Sequence, residues 1–224
     1  KRNITNMNKL NHIAFIMDGN GRWGKKKKRS RNFGHYEGVK TVKKIVEASI
    51  KQKLPFVTFY VFSTENWKRP KKEINFLFNL VHSYFKTELN QVIKNGIKIN
   101  IIGEFQKLPK KVRNVLIETK EKTRKNKKIT VNLALNYGSK KELVNALNKI
   151  KQKKITEADI SNNLYTNTIP DPDILVRTGG RKRLSNFMLW QLAYAELYFL
   201  DKLWPDFTIN DLKKIIINYH KTKR

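Results

Sequence analysis

The chain has 224 residues, contains no cysteine, and carries 48 lysines and arginines against 18 acidic residues, a formal net charge of +30. This length suits one sizeable α/β domain or at most two small ones, and a single domain over residues 1–224 is the expectation. The lack of cysteine excludes disulfides and thiolate metal sites and fits a reducing cytoplasm. No apolar run approaches the roughly 20 residues of a membrane span, and the first residues lack a signal peptide's apolar core.

The large positive charge is typical of proteins that bind nucleic acid, anionic lipid surfaces or polyphosphate substrates. Lysine, asparagine and isoleucine, however, crowd every segment of the chain, and their codons are rich in A and T. A mutational bias toward such codons explains the diffuse excess without a polyanionic partner. Only local clusters of charge therefore indicate a site, and the run Lys25–Lys28 taken alone is interpreted as solvated.

Short apolar runs rich in β-branched or aromatic residues predict five strands. Each run is separated from the next by a segment with helical periodicity. Alternating strands and helices imply an α/β fold with a central, mostly parallel sheet flanked by helices. The predicted strands are His12–Met17, Phe56–Phe62, Ile97–Ile102, Ile129–Leu135 and Asp173–Val176.

The predicted helices differ in how much of their circumference is apolar. The helix after Phe33 has one core-facing stripe, formed by Val39, Val42, Val46 and Ile50. In Glu73–Lys94 the apolar residues cover much more than one stripe, so this helix is either buried on most sides or lines an apolar cavity. Further helices are predicted over Leu108–Lys125 and Ser139–Lys151, and from the N-cap Thr208 through Tyr219.

Polar clusters follow three of the predicted strands, at the ends where open parallel sheets bind their ligands. These clusters are Asp18–Trp23, Ser63–Arg69 and Arg177–Ser185. Glycines let backbone N–H groups approach a phosphate, guanidinium groups bind its oxygens in pairs, and a carboxylate suits a divalent metal that bridges to the phosphates. The convergence predicts two anionic groups held side by side. Neither a P-loop nor a dinucleotide-binding fingerprint is present.

Five stretches occur in a characteristic order: HIAFIMDGNGRW, FSTENWKRP, ILVRTGG, RLSNFMLWQLAYAELYF and LWPDF. They closely resemble the cis-prenyltransferase family, the isoprenyl transferases that include bacterial undecaprenyl diphosphate synthases. The resemblance spans His12 to about Tyr219. It implies a homodimeric, Mg²⁺-dependent enzyme that condenses farnesyl diphosphate with successive isopentenyl diphosphates and sets each new double bond cis. The implied product is undecaprenyl diphosphate, the precursor of the lipid carrier for bacterial peptidoglycan.

The resemblance also implies roles for individual residues. Asp18 would bind the metal and act in catalysis, Glu196 would complete the metal site, and Asn66 is the usual proton acceptor. The allylic diphosphate would be held by Gly19, Asn20, Gly21, Arg22, Arg31 and His35, with Trp23 packed nearby. The second loop would contribute Ser63, Thr64, Glu65, Trp67 and Arg69, and the isopentenyl diphosphate would bind at Arg177, Arg183, Leu184 and Ser185.

Side-chain chemistry qualifies some of these roles. An asparagine amide is not a base near neutral pH, so Asn66 is interpreted as orienting the alkene or relaying the proton to a diphosphate oxygen. Taken singly, Asp18 could cap a turn, His35 could be a helix-start residue and Trp67 could belong to the core. Glu196 could instead pair with an arginine at an interface. The family resemblance favours a functional role for all four, and it favours Glu73–Lys94 as the wall of an apolar product tunnel.

Three features depart from the family pattern. Arg181 and Lys182 follow Gly180, where an acidic residue and a histidine are common, which puts a metal or phosphate role there in question. NYGSK stands where NYGGR is common. The chain ends at Arg224, about where relatives continue with an Arg-Phe-Gly-Gly-like tail, so either Arg224 replaces that tail or the tail is missing.

Two alternative functions stay open. One is a cis-prenyltransferase with a product of different length, because tunnel depth depends on side-chain packing. The other is a basic nucleic-acid-binding module, although the lysine runs lie apart from the aromatic residues that such modules interleave with charge. The expected partners are a second copy of the chain and the two diphosphate substrates. Nucleic acid is not an expected partner. A transient contact with the membrane is expected when the product is released.

Overall fold

The computed structural model describes residues 9–222, in which six strands form one sheet with every neighbouring pair parallel. The strand order is β3-β4-β2-β1-β5-β6. Strands β2, β3 and β4 lie on one side of β1, and β5 and β6 lie on the other. The carboxyl end of β1 is therefore the position at which this class of fold binds ligands. The strands are β1 (His12–Ile16), β2 (Phe56–Ser63), β3 (Ile97–Ile102), β4 (Ile129–Tyr137), β5 (Ile174–Arg177) and β6 (Glu196–Phe199).

Seven helices connect or follow these strands within the described range. The predicted N-cap at Thr208 is confirmed, since its side chain accepts a hydrogen bond from the Asp211 N–H at 3.2 Å. The helices are α1 (Asn20–Lys26), α2 (Arg31–Lys51), α3 (Lys71–Lys94), α4 (Lys110–Thr123), α5 (Ser139–Leu147), α6 (Glu157–Asn163) and α7 (Ile209–Lys221). Strand β6 and helices α1 and α6 were not predicted from the sequence.

Helix α1 contains most of the first polar cluster, where no helix was predicted from the sequence. Gly19 is the N-cap, with a φ of 109° that a residue with a side chain rarely adopts, and the helix begins at Asn20. The Trp23 N–H donates to the Gly19 carbonyl at 2.9 Å and starts the helical hydrogen bonding. The residues after Asp18 are therefore held in a fixed geometry.

The apolar core covers both faces of the sheet because side chains alternate along each strand. On one face Ile13 and Phe15 join the larger cluster, which contains Trp204 and the buried residues of α2, α3 and α7. On the other face Ala14 and Ile16 pack with Phe187 and its neighbours. Among the described residues, no helix is both long and apolar enough to cross a membrane.

His12 is a fully buried titratable residue at the start of β1. Its Nδ1 lies 2.7 Å from the Pro170 carbonyl oxygen, and its Nε2 lies 2.6 Å from the Thr58 hydroxyl. Burial lowers the pKa of His12 to about 4, although the hydrogen bond to Pro170 acts in the opposite direction. The imidazole is therefore neutral in the folded protein at physiological pH.

We expect the free energy of unfolding to fall as the pH is lowered from 6.5 to about 4. Over this window the unfolded chain takes up a proton on His12 while the folded chain does not, so acid favours unfolding. The full effect corresponds to about 3 kcal/mol. Urea unfolding across the window measures it, and His12→Asn should flatten the dependence, whereas the same change at the exposed His220 should not. An unchanged slope in His12→Asn would contradict this explanation.

Candidate active site

The three polar clusters meet at the carboxyl ends of the central strands. Ile16 of β1 pairs with Arg177 of β5, so Asp18 projects just beyond the end of β5. Ser63 ends the neighbouring strand β2. The convergence predicted from the sequence is therefore present, and it brings acidic and basic side chains from distant parts of the chain into contact.

Asp18 lies at the centre of the first group of charges. One carboxylate oxygen accepts a hydrogen bond from Arg22 at 3.1 Å, and the other accepts one from Arg177 at 3.0 Å. The Asp18 carbonyl oxygen accepts from the Thr178 hydroxyl at 2.8 Å, which fixes the backbone. The Asp18 side chain is still 28% exposed, so a ligand can reach the carboxylate.

Arg177 joins Asp18 to the third polar cluster. Its side chain is nearly fully buried, and one terminal nitrogen donates to the Ser185 hydroxyl at 2.8 Å and to the Arg183 carbonyl. The Arg177 Nε is buried and has no hydrogen-bond acceptor among residues 9–222. A buried guanidinium N–H without an acceptor is costly, and an anionic ligand is one group that can satisfy it.

Gly179 leaves room for Arg22 to pack beside Asp18. It has a φ of 88°, and a Cβ at this position would lie 2.5 Å from the Arg22 guanidinium and 3.1 Å from the Asp18 carboxylate carbon. The Arg22 side chain donates to the Gly179 carbonyl at 2.7 Å. A side chain at Gly179 would therefore push Arg22 and Asp18 apart.

A second charged group surrounds Glu73 at the start of α3. Glu73 accepts hydrogen bonds from Arg31 at 3.3 Å and from Arg69 at 3.0 Å, and His35 Nε2 lies 3.4 Å from it. Burial acts to raise the pKa of Glu73, but the hydrogen bond from Arg31 and the nearby positive charges hold this pKa below its usual value. The pKa of His35 is lowered, first by burial and then by Arg69, against the opposing effect of Glu73.

Helix α1 lies between the two charged groups. A Cβ at Gly21 would be 2.7 Å from the guanidinium carbon of Arg31, so the glycine makes room for that arginine. Asn20 precedes it, and its amide oxygen is buried with no hydrogen-bond partner in the described part of the chain. The predicted grouping of Gly21, Arg31 and His35 is therefore present, whereas Arg22 turns toward Asp18.

The second polar cluster forms a 3₁₀ turn, Thr64–Lys68, after β2. The Asn66 amide oxygen accepts the Ser63 N–H at 3.1 Å, and the Ser63 side chain in turn accepts the Asn66 N–H. Glu65 accepts a hydrogen bond from Asn186 at 2.9 Å and so joins this turn to the third cluster. Thr64 lies against Gly138, just after β4.

Three predicted site residues have mainly structural contacts. Trp67 is 41% exposed, its ring contacts the buried Phe62 and Phe78, and its indole N–H donates to Asn136 at 2.7 Å. Trp23 donates to Asp206 at 2.7 Å and is stacked near Phe33. Leu184 packs against the apolar cluster on the opposite face of the sheet.

Glu196 is not brought to Asp18 within one chain. It begins β6 and pairs with Ile174, the first residue of β5, whereas Asp18 lies beyond the other end of that strand. Strand β5, which separates the position of Glu196 from that of Asp18, is about 10 Å long. The Glu196 carboxylate accepts a hydrogen bond from Tyr198 at 2.9 Å. Within residues 9–222, no group of three or more His, Asp or Glu side chains is arranged to hold a metal.

The residues that depart from the family pattern differ in how far they are buried. Arg181 and Lys182 are exposed, as is Arg183, which contributes its carbonyl to Arg177. Ser139, in NYGSK, is buried, and its hydroxyl accepts the Leu189 N–H at 3.0 Å, so the substitution adds a loop contact. Arg224 lies outside the described residues.

An apolar cavity of about 150 Å³ lies between α2, α3 and the sheet. Asn20 and His35 line its end beside the charged groups, and Asn95 and Ile97 line its far end. Because Ile97 begins β3, the cavity extends along the length of the sheet. The apolar residues of α3 that line it are Leu77, Phe78, Leu80, Val81, Tyr84, Phe85 and Val92, so the cavity explanation for this helix is confirmed. Phe78, Phe85 and Val92 are also buried.

Strand β2 contributes two adjacent residues to this cavity. A simple strand would point Val61 and Phe62 to opposite faces. The pairing with β4 is irregular here, however, shifting its register between Tyr60 and Phe62, and both Val61 and Phe62 line the cavity. Tyr60 points to the other face and stacks on Phe187.

Glu73 and Asp206 were not predicted as parts of the site, and Thr178 and Gly179 were included in the third polar cluster without individual roles. Glu73 had a local signal, since it lies one helical turn after Arg69, where opposite charges pair. Asp206, which holds the Trp23 indole, had no such signal because the two residues come from opposite ends of the chain.

Known proteins resemble this chain over nearly its whole length. A family model described as putative undecaprenyl diphosphate synthase matches residues 16–224. The isoprenyl transferase of Fusobacterium nucleatum is 46% identical over 95% of this chain and 94% of its own length. A (2E,6E)-farnesyl-diphosphate-specific ditrans,polycis-undecaprenyl-diphosphate synthase of Micrococcus luteus is 42% identical over 95% of this chain and 89% of its own.

Two solved structures share the fold. A probable undecaprenyl diphosphate synthase from Campylobacter jejuni has a TM-score of 0.83 at 36% identity and covers 97% of this chain and 98% of its own. Lavandulyl diphosphate synthase from Lavandula x intermedia, in complex with dimethylallyl diphosphate, has a TM-score of 0.91 at 30% identity and covers 96% of both chains. With its paired charged groups at the mouth of an apolar cavity, this chain belongs to the undecaprenyl diphosphate synthase family of prenyltransferases.

Proposed function

We propose that this protein makes undecaprenyl diphosphate by adding isopentenyl diphosphate units repeatedly to farnesyl diphosphate, with each new double bond cis. The observation that carries the proposal is the placement of two arginine-rich groups at one end of an apolar cavity that extends along the sheet. The charged end suits diphosphates, and the cavity suits a growing hydrocarbon chain. The product would serve as precursor of the carrier lipid for peptidoglycan synthesis in the cytoplasm.

The two charged groups would bind one substrate each. The allylic diphosphate would bind beside Gly21, Arg31 and His35, and the isopentenyl diphosphate would bind beside Arg177 and Ser185. In the structure, Glu73 and Asp18 are the counterions of these arginines. An arriving diphosphate offers more oxygen acceptors than a carboxylate does, so it can compete for the same guanidinium groups.

Asp18 fits a role in metal binding. Members of the family use a divalent metal, and we propose Mg²⁺. Mg²⁺ is commonly held by one or two carboxylates plus substrate phosphates, so one accessible carboxylate is sufficient. When bound, the metal stabilises negative charge on a diphosphate. For Glu196 to join Asp18 it must come from a second copy of the chain, which agrees with the homodimer that we also propose.

The protein's own side chains would assist each addition mainly by electrostatics and position. The new carbon–carbon bond forms as the allylic carbon–oxygen bond breaks, and the arginines stabilise the departing diphosphate. The Asn66 amide oxygen already accepts the Ser63 N–H, so Asn66 shapes the loop and is not the final base. We assign the proton lost by the isopentenyl unit to an oxygen of the departing diphosphate.

A product of different length is the alternative that the comparisons leave open. The chain has a TM-score of 0.91 to an enzyme named for lavandulyl diphosphate, so the overall fold does not fix the product. What favours long products here is the apolar lining, which continues along α3 from Leu77 to Val92.

The proposal is tested by incubating the protein with farnesyl diphosphate, labelled isopentenyl diphosphate and Mg²⁺, and then sizing the extracted products. We expect a ladder of intermediates that ends in long polyprenyl diphosphates and disappears when the metal is chelated. A single short product would favour the alternative. No incorporation of label would overturn the proposal.

We expect Val61→Phe to shorten the products, because a larger ring at this cavity-lining position would obstruct the growing chain. The two charged groups of the protein that would bind the diphosphates should be unaffected. Product sizing and thermal melting together measure the effect. Val57→Phe is the matched control, since Val57 lies in the same strand but is fully buried in the core and does not line the cavity.

The control should lose about 1–3 kcal/mol of stability through overpacking and keep its product length. If Val61→Phe is destabilised in the same way but still makes full-length product, then Val61 belongs to the core and not to the product tunnel.

A further inference from the structure

An ion pair borders the apolar cavity far from the diphosphate end. The ammonium group of Lys43, on α2, lies 2.7 Å from a carboxylate oxygen of Glu88, on α3. Both residues line the cavity, whose other walls are mostly apolar. Charged side chains are unusual at the wall of an apolar cavity, and this pair keeps part of its surface in contact with water.

The position of the pair follows from the lengths of the two helices. Glu73 and His35 mark the diphosphate end, where α2 and α3 first touch through charged side chains. The rise along α3 from Glu73 to Glu88 is about 22 Å, and the rise along α2 from His35 to Lys43 is about 12 Å. A chain that grows from the diphosphate end would therefore reach this pair after running about 12–22 Å along the cavity.

Polar side chains collect around the pair. Glu47, Gln91 and Asn95 line this part of the cavity together with Val92 and Ile97, whereas the walls nearer the diphosphate end are almost entirely apolar. Burial raises the pKa of Tyr84 to about 12, and the negative charges of Glu88 and Glu47 act in the same direction. Tyr84 therefore stays protonated and adds no charge of its own beside the pair.

We propose that the Lys43–Glu88 ion pair, which joins α2 to α3 at the wall of the cavity, is a product-length gate. This inference rests on the proposed function. A prenyl chain end that reaches the pair must stop or separate it. The side chains are 41% and 32% exposed, so the pair is only weakly stabilised and can be displaced by further growth. Elongation would slow at this point without being absolutely blocked.

The test is a double replacement by apolar side chains, Lys43→Met with Glu88→Leu, assayed by sizing the products from farnesyl diphosphate. We expect the main product to shift to a longer chain, with the KM for farnesyl diphosphate unchanged. The charge-reversed variant, Lys43→Glu with Glu88→Lys, should restore the wild-type product length because it rebuilds the pair.

The matched control is Lys40→Met with Glu37→Leu. That pair also has a separation of 2.7 Å and lies on α2, but it does not line the cavity. Its loss should leave the product length unchanged. If the apolar double variant melts at assay temperature, then Glu88→Gln takes its place, with the same expected lengthening and the same charge-reversed comparison.

The wild-type protein, assayed in parallel, distinguishes a failure of the proposed function from a failure of the proposed gate. Wild-type protein that incorporates no isopentenyl diphosphate would overturn the proposed function. Wild-type protein that elongates normally, with the same product distribution in the folded gate variants, would overturn the gate alone. Lengthening in both the apolar and the charge-reversed variants would also overturn it, because the pair would then not be the feature that matters.

Discussion

Asp18→Ala is expected to lower turnover by about 10²–10³-fold, the usual effect of deleting one electrostatic contact in a transition state. The fold should survive, because Asp18 lies beyond the end of β1 and Arg177 keeps its contacts with Ser185 and Arg183. Steady-state turnover at saturating substrates and Mg²⁺ measures the loss, and circular dichroism checks the fold.

The companion variant Asp18→Asn separates charge from shape. It keeps a side chain of the same size beside Arg22 and Arg177 but removes the negative charge, so we expect a loss nearly as large as in Asp18→Ala. Asp201→Asn, a change at an exposed aspartate beside Gly180, is the control and should retain turnover. Near-normal turnover of either Asp18 variant would contradict the assignment of a metal-binding and catalytic role.

Arg177→Ala is expected to raise the KM for isopentenyl diphosphate by about 10- to 100-fold, since a hydrogen bond to a charged group contributes about 1.5–3 kcal/mol. Turnover should fall as well, because Arg177 also holds an Asp18 oxygen. Arg31→Ala should instead raise the KM for farnesyl diphosphate, since Arg31 lies beside Gly21 in the other charged group. Titrating each substrate separately against both variants makes the comparison.

Arg183→Ala gives an internal comparison within the third cluster. The Arg183 side chain is exposed, and only its carbonyl contacts Arg177, so its loss should raise the isopentenyl KM less than Arg177→Ala does. Equal effects of Arg31→Ala and Arg177→Ala on both Michaelis constants would mean that the two diphosphates do not have separate sites.

Local patterns in the sequence predicted most of the sheet. Strands such as β3 and β4 are apolar runs between clear helices, and their predicted starts agree with the structure. Strand β6 has only four residues, begins with Glu196 and pairs with β5 alone, so nothing in its local sequence separates it from a loop. Helix α1 was missed because the glycines at positions 19, 21 and 24 usually indicate a turn, whereas here they allow close packing.

The site could be predicted where strand direction decides the geometry. Asp18 and Arg177 both follow parallel strands, so their proximity follows from the topology. Glu73 could not be assigned in this way, because its contacts with Arg31 and His35 depend on how α2 packs against α3. The distance of Glu196 from Asp18 likewise depends on the register of β6, which the sequence does not specify.

The sequence alone could not decide the role of helix α3. Its excess of apolar residues was compatible with a buried core helix and with a cavity wall, and both features are present in different residues. Ile74 is buried and does not line the cavity, whereas Leu77 and Val81 line it and are only partly buried. Only the packing of α2 against α3 and the sheet decides between the two roles.

The most direct test of the central claim is photocrosslinking with allylic diphosphates that carry a photoreactive group at the far end of the prenyl chain. The tunnel proposal predicts labels on cavity-lining residues of α3, moving from Leu77 toward Tyr84 and then Gln91 as the chain becomes longer. Labels on the exposed surface of the protein, or labels that do not move with chain length, would contradict the claim that the product grows inside this cavity.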